Sequence, residues 1–161
     1  MRRGTLAGVS RYLKARRPSV RVVLVDPPGS ALYNRVKHGV MYASQQQERS
    51  ARRHRYDTMM EGVGIDRVTA NFGRALVDDA VRVDDTESIA MARQLLERDG
   101  LFVGGSAAMN CVGAVRVARQ LGPGHTIVTV LCDGGQRYLS TVHKPPEDEV
   151  VNADERKGFE P

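Results

Sequence analysis

Hydrophobic positions along the chain recur with two different periods, and the changes between them mark the elements. Leu101–Val103 and Ile127–Leu131 are apolar runs too short for helices and rich in branched side chains, so they read as buried strands. Between them Ala108, Val112, Val115 and Ala118 return at helical spacing, and Gly122-Pro123-Gly124 stops the pattern. Strand, helix and strand of this length predict a parallel βαβ unit. Upstream, Ile89, Ala92, Leu95 and Leu96 form the inner face of a helix that opens at Thr86-Glu87 and ends at Gly100. Val20–Val25 reads as a buried strand entered through Pro18 and closed by Asp26-Pro27-Pro28-Gly29. Val77–Val83 has the length of a short edge strand. The first residues allow two readings: an amphipathic helix of the domain with Leu6, Val9 and Leu13 on one face, or an arginine-rich targeting peptide without acids before Asp26. The direct run from this helix into a strand favours the first.

Composition narrows the class without naming an activity. At 161 residues, 41% hydrophobic and 27% charged, the chain fits one globular domain. The net charge of +5 invites a nucleic-acid reading through Arg52-Arg53-His54-Arg55. That run lacks interleaved aromatics beyond Tyr56 and matches no nucleic-acid motif, so a solvated polar excursion over about 43–57 is expected. Cys111 and Cys132 are expected as reduced thiols, one in a helix and one in a strand, in a soluble intracellular protein, cytoplasmic or mitochondrial. No Cys/His cluster has metal spacing, and no apolar run approaches the ~20 residues of a membrane span. His38, His54, His125 and His143 have no partner at a telling spacing. Residues 144–161, with Pro-Pro-Glu-Asp-Glu and Asn-Ala-Asp-Glu-Arg-Lys, have little to bury and are expected to be a disordered tail.

The chemistry is expected where strands end. Gly104-Gly105-Ser106 follows one strand and opens a helix, with Ser106 at the N-cap or in the first turn, and Asp133-Gly134-Gly135 follows another. In open α/β sheets ligands sit at the carboxyl ends of strands, where helix N-termini offer unpaired N–H groups. Gly4-Thr5 opens the first helix in a similar way, and Glu61-Gly62-Val63-Gly64 reads as a tight flexible turn. Spacing alone therefore gives an α/β domain with a parallel sheet and an anion or cofactor rim.

Four ordered motifs add a resemblance: Gly4-Thr-Leu-Ala-Gly-Val-Ser-Arg-Tyr-Leu-Lys14, Glu61-Gly-Val-Gly64, Gly100-Leu-Phe-Val-Gly-Gly-Ser106 and Asp133-Gly-Gly-Gln-Arg-Tyr-Leu-Ser-Thr141. Together they resemble the C-terminal half of a cysteine synthase, close also to cystathionine β-synthase, both pyridoxal-phosphate enzymes of the tryptophan-synthase-β fold type. Asp26-Pro-Pro-Gly-Ser-Ala-Leu-Tyr-Asn-Arg and Asn110-Cys111 look most like a eukaryotic, mitochondrial branch. The resemblance implies a three-layer αβα fold with a mainly parallel sheet, residues 1–143 forming the lobe, and a homodimer or a pairing with a full-length homologue. It implies cofactor roles for Gly4 and Thr5 at the phosphate, for Ser106 at the pyridine nitrogen and, less directly, for Asp133 near the pyridine end. Glu61, Gly62, Val63 and Gly64 would line the substrate side.

The implied reaction replaces the acetate of O-acetylserine with sulfide to give cysteine. A serine hydroxyl at the ring nitrogen suits it, because a neutral partner leaves the ring a moderate electron sink. The departures are as informative. Met1-Arg2-Arg3 stands where the resemblance puts the glycines of a phosphate loop. None of the four lysines, Lys14, Lys37, Lys144 and Lys157, has the Ser-x-Lys-x-Arg setting of the family's Schiff-base lysine. No catalytic residue is therefore assigned, and two expectations stand side by side: a cysteine-synthase part that is inactive alone, or a non-catalytic binding module that associates with a full-length homologue.

Overall fold

The computed structural model describes residues 4–42, 58–64 and 67–144. The polar excursion and the tail expected from the sequence lie outside these residues, apart from Lys144. Six main elements follow in order: α1 (Gly4–Arg16), β1 (Val23–Asp26), α2 (Leu32–His38), β2 (Asp79–Arg82), α3 (Asp85–Asp99) and α4 (Gly105–Leu121). Short 3-10 turns occupy Phe72–Arg74 and Gly135–Tyr138. β1 and β2 pair in parallel, with Val23 opposite Asp79 and Asp26 opposite Arg82.

Strand side chains alternate between faces, and here each face meets helices. Leu24 and Ala80, opposite one another in register, pack with Leu32 of α2 and Phe72. Val25 turns the other way, onto the cluster of Val83, Ala92, Ala108, Met109 and Val112 contributed largely by α3 and α4. Gly113 is what lets α4 lie so close, since a Cβ there would overlap the Val25 side chain. The described residues thus form three layers, helix, parallel sheet and helix, as expected.

β1 begins later than the apolar run. Asp78 accepts the Val22 N–H at 2.6 Å while its own N–H donates to the Val22 carbonyl at 2.8 Å, so a side chain closes the ladder there. α3 starts with a reciprocal cap: Asp84 accepts from the Glu87 N–H and Glu87 accepts from the Asp84 N–H. The start is thus slightly earlier than Thr86. Gly100, at φ 67°, ends α3 in the left-handed conformation that favours glycine. Within α3 the inner face is Ser88 and Ala92, flanked by half-buried Ile89 and Leu95, whereas Leu96 is exposed.

Three expectations change. The βαβ unit around α4 does not form among the described residues. Val103 makes an isolated antiparallel bridge to Gly134, and Thr126–Leu131 carries no strand pairing. Val128 is 86% exposed, because among the described residues no neighbouring strand pairs with it to bury an otherwise strand-like sequence. Along α4 only the first half is buried: Ala108 and Val112 are inside, Val115 and Ala118 outside. On α1 the buried positions are Ala7 and Ser10 rather than the Val9 and Leu13 side, which is exposed with Tyr12. Ser10 explains the rotation: its hydroxyl donates to the Ala7 carbonyl at 3.1 Å and accepts the Leu76 N–H at 3.0 Å.

Candidate functional site

The first turn of α4 is the best-enclosed of the expected cofactor positions. Gly104 is the N-cap, and Ser106 lies in the first turn, only 8% exposed. The backbone at Gly104 (φ −75°, ψ 167°) is open to any residue, so glycine is needed there for room. A Cβ on Gly104 would overlap the Asp133 carboxylate and come within 2.8 Å of the Tyr138 ring. One on Gly105 would overlap the Met60 sulfur and meet Val142 at 3.0 Å. The Ser106 hydroxyl makes no hydrogen bond to protein among the described residues. A first-turn hydroxyl in this position is a donor and acceptor held ready for an outside partner.

Residues 133–143 hold this turn from behind. The Gly104 N–H donates to the Asp133 carbonyl at 3.0 Å, and the Gly135 N–H to the Phe102 carbonyl at 3.1 Å. The Asp133 carboxylate faces Tyr138, whose hydroxyl donates to it at 2.6 Å. That bond to a carboxylate, together with burial, pushes the Tyr138 phenol up to about 12. The charge of Glu61 adds to the same shift, which puts Glu61 within electrostatic reach of Tyr138. On the next layer His143 Nε2 lies 2.8 Å from the Val103 carbonyl, and its ring packs on Phe102 with centroids 4.7 Å apart.

The turn at 61–64 arrives from α3. Asp85 accepts the Thr58 hydroxyl at 2.5 Å and the Met59 N–H at 2.7 Å, and Thr58 in turn accepts the Met60 N–H at 3.0 Å. Met60 is thereby driven into the core beneath Gly105. Gly62 and Gly64 follow with φ of 78° and 74°, the tight turn expected of them, and the space beside Gly64 is bounded by Pro27 and Thr58.

The structure therefore brings together Ser106, Asp133 and the Glu61–Gly64 turn. Gly4 and Thr5 open a different helix. α1 packs against the 72–74 turn, Gly4 faces the Asn71 amide at 3.6 Å, and Thr5 is exposed. α1 is fastened elsewhere, by Lys14 on Asp78 at 2.5 Å. Burial of Asp78 on its own would raise its carboxyl, but the Lys14 ammonium and the Val22 N–H outweigh that and leave it below the usual range. Lys37 similarly holds Asp79 low. Lys14 and Lys37 are thus committed to carboxylates away from Ser106, and Lys144 is exposed. Cys111 and Cys132 are both free and half-buried. Burial, then the neighbouring Cys132, push the Cys111 thiol up. Asn110 reaches Cys132 at 3.4 Å and the Val130 carbonyl at 3.0 Å.

Residues 3–133 match the family model described as pyridoxal-phosphate dependent enzyme. The chain belongs to this family. It is 56% identical over 142 residues to cysteine synthase 2 of Schizosaccharomyces pombe and 58% identical over 139 residues to cysteine synthase 2 of Emericella nidulans. These alignments cover 87% and 85% of the chain but 36% and 32% of the relatives, so the chain spans about a third of the length of the curated relatives it matches. Among solved structures it is similar to the O-acetylserine dependent cystathionine β-synthase from Helicobacter pylori. That similarity has a TM-score of 0.68 and 30% identity over 85% of this chain and 39% of the other. The pyridoxal-phosphate family accounts for the fold, a parallel sheet between helices, and for the order of the motifs along it.

Sequence reasoning gave no role to four residues that build this site: Met60, Asp85, Tyr138 and His143. Tyr138 stood inside a quoted motif, five residues after Asp133 with two glycines between them. That spacing is the signal that the chain folds back on itself there.

Proposed function

We propose that this chain supplies the pyridine-nitrogen wall and the substrate-side turn of a pyridoxal-phosphate site that makes cysteine from O-acetylserine and sulfide. The observation that carries it is Ser106, a nearly buried first-turn hydroxyl with no protein partner among the described residues, braced between Asp133 and Met60. The residues present fit the ring end of the cofactor: Ser106 would meet the pyridine nitrogen, with Asp133 near the same end and Glu61, Gly62, Val63 and Gly64 facing the substrate. Gly4 and Thr5 would meet the phosphate through the N-terminus of α1. When bound, pyridoxal phosphate supplies the electron sink for replacing the β-substituent of an amino acid. Ser106 contributes a neutral hydrogen bond that leaves the ring nitrogen unprotonated, and the enclosed first turn keeps water from competing for it.

The pairing of Lys14 with Asp78 and of Lys37 with Asp79 supports a chain that does not complete the reaction by itself. Exposed Val128, Val130 and Leu131 favour association with a homologue, either as a homodimer or with a full-length relative, and the two free thiols suit a reducing compartment. A non-catalytic module bound to such a homologue is the second reading. Purified 161-residue protein given O-acetylserine, sulfide and pyridoxal phosphate should release no cysteine. Adding a full-length homologue and measuring both association and cysteine formation separates the two readings. Activity that depends on Ser106 of this chain favours the first, and binding unaffected by Ser106→Ala favours the second. Cysteine formed by the isolated chain would sink the claim that it is incomplete as a catalyst.

A further inference from the structure

We infer that Tyr138 is a positioning residue for Ser106, acting through Asp133 and Gly104; this rests on the assignment of Ser106 to the cofactor ring. The path is continuous. The Tyr138 hydroxyl donates to Asp133 Oδ2 at 2.6 Å, and the carbonyl of the same Asp133 accepts the Gly104 N–H at 3.0 Å. Gly104 sits so tightly between the carboxylate and the phenol ring that a Cβ does not fit. Ser106 follows two residues later in the same turn, and the Ala108 N–H closes that turn on the Gly104 carbonyl at 3.1 Å.

A rotation of the Asp133 carboxylate would therefore move the wall against which Gly104 rests. Asp133 cannot hold that orientation through its backbone alone, because its side chain needs a partner to fix the carboxylate plane. Tyr138, 7% exposed and with its ring in the core beside Val103 and Met109, is that partner. A hydrogen bond from a buried hydroxyl to a carboxylate is among the stronger side-chain bonds, and its loss would let the carboxylate of Asp133, an exposed residue, turn toward water. The phenol remains protonated, and so remains a donor, across the whole physiological range. Asp133 thus reaches the cofactor end of the site indirectly: its carboxylate serves Tyr138, and its carbonyl serves Gly104.

The test uses the 161-residue chain, Tyr138→Phe and Asp133→Asn. Amide hydrogen exchange is read at Gly104 and Ala108, with Ala92 of α3 as the reference. Ring volume is kept in Tyr138→Phe, so only the hydroxyl is removed. Exchange at Gly104 and Ala108 should quicken about tenfold relative to Ala92. Asp133→Asn, which still accepts from the phenol, should give a smaller change. Equal acceleration at all three amides, or none at Gly104, overturns the inference. Separately, pyridoxal 5′-phosphate is titrated while the Ser106 amide resonance is followed. The shift expected at Ser106 should weaken in Tyr138→Phe; a shift of equal size and midpoint in both proteins also overturns the inference. A native chain whose Ser106 resonance ignores the cofactor, with the exchange effect intact, removes the cofactor assignment and leaves the Tyr138 brace standing.

Discussion

Two helix N-termini of this chain look alike in sequence and differ in the structure. Gly4-Thr5 opens α1 and Gly104-Gly105-Ser106 opens α4, and each offers small residues and a hydroxyl at the start of a helix. At α4 the turn is closed from both sides, by Asp133 and Tyr138 on one and Met60 and Val142 on the other. At α1 a Cβ on Gly4 would meet, among the described residues, the Asn71 amide at an ordinary 3.6 Å, and Thr5 is exposed. Both present unpaired backbone N–H groups, as any helix start does. What separates them is the density of contacts that arrive from remote parts of the chain. A helix start becomes a shaped site when distant residues fix it, and α4 draws its fixing residues from about 45 positions upstream to about 35 downstream, as the contacts of Met60 and Val142 show.

The comparison breaks most visibly through the glycines. Gly104→Ala should cost about 1–3 kcal/mol, because neither the Tyr138 ring nor the hydrogen-bonded Asp133 can swing away freely. Gly4→Ala should stay within about 0.5 kcal/mol, since the nearest atom is at an ordinary contact distance. Urea midpoints of the two variants measure the contrast, and equal midpoints would erase it. Next in size, Asp85→Ala should destabilise the chain by about 1–2 kcal/mol by leaving the Thr58 hydroxyl and the Met59 N–H without their acceptor. Proteolytic cleavage within 58–64 should quicken by more than cleavage elsewhere. Cleavage unchanged there would mean that Asp85 does not hold the 58–64 segment.

The two regions should also fail at opposite ends of the pH scale. Tyr138 is raised in the folded chain, to about 12, so its contribution is complete below the ordinary tyrosine value of about 10 and is lost as pH rises toward 12. Asp78 is lowered, so the link from β2's approach to α1 is complete above about pH 4 and is lost as pH falls below the ordinary aspartate range. Unfolding followed against pH should show the alkaline loss vanish in Tyr138→Phe and the acid loss shrink in Lys14→Met. A profile unchanged in either variant would detach that pair from stability. The smallest effect is expected at Val9→Ser, within about 0.5 kcal/mol, because Val9 lies on the exposed side of α1.

Helices α3 and α4 were legible because their boundaries are written locally, in Glu87 near the start of α3, in Gly100 and in Gly122, although the cap proved to be Asp84 rather than Thr86. β1 was legible as an apolar run, although the sequence did not reveal that the Asp78 side chain would take the place of a ladder partner at Val22. The strand expected at Ile127–Leu131 shows the limit of such reading. Branched side chains make a segment fit for a sheet, but only a neighbouring edge makes it a strand. For α1 the apolar count pointed outward, because two hydrogen bonds of one small residue, Ser10, outweighed the pull of Val9 and Leu13. Within the site, Ser106, Asp133 and the Glu61 turn stood out through their glycines. Tyr138, Met60 and Asp85 did not, since a phenol, a thioether and one more acid carry no local signature of the remote groups they touch.

Asp85 has a consequence for the order in which the chain assembles. Its carboxylate joins positions 27 residues apart, so the entropy of closing that loop must be met before either hydrogen bond can form. The acceptor also needs α3 in place to be held still, since Asp85 belongs to its first turn. The position of the Glu61–Gly64 turn therefore depends on α3 being formed first, since the acceptor that holds Thr58 and Met59 lies in its first turn. Because Met60, the residue before that turn, is buried beneath Gly105, loosening of 61–64 would reach the first turn of α4 through Met60.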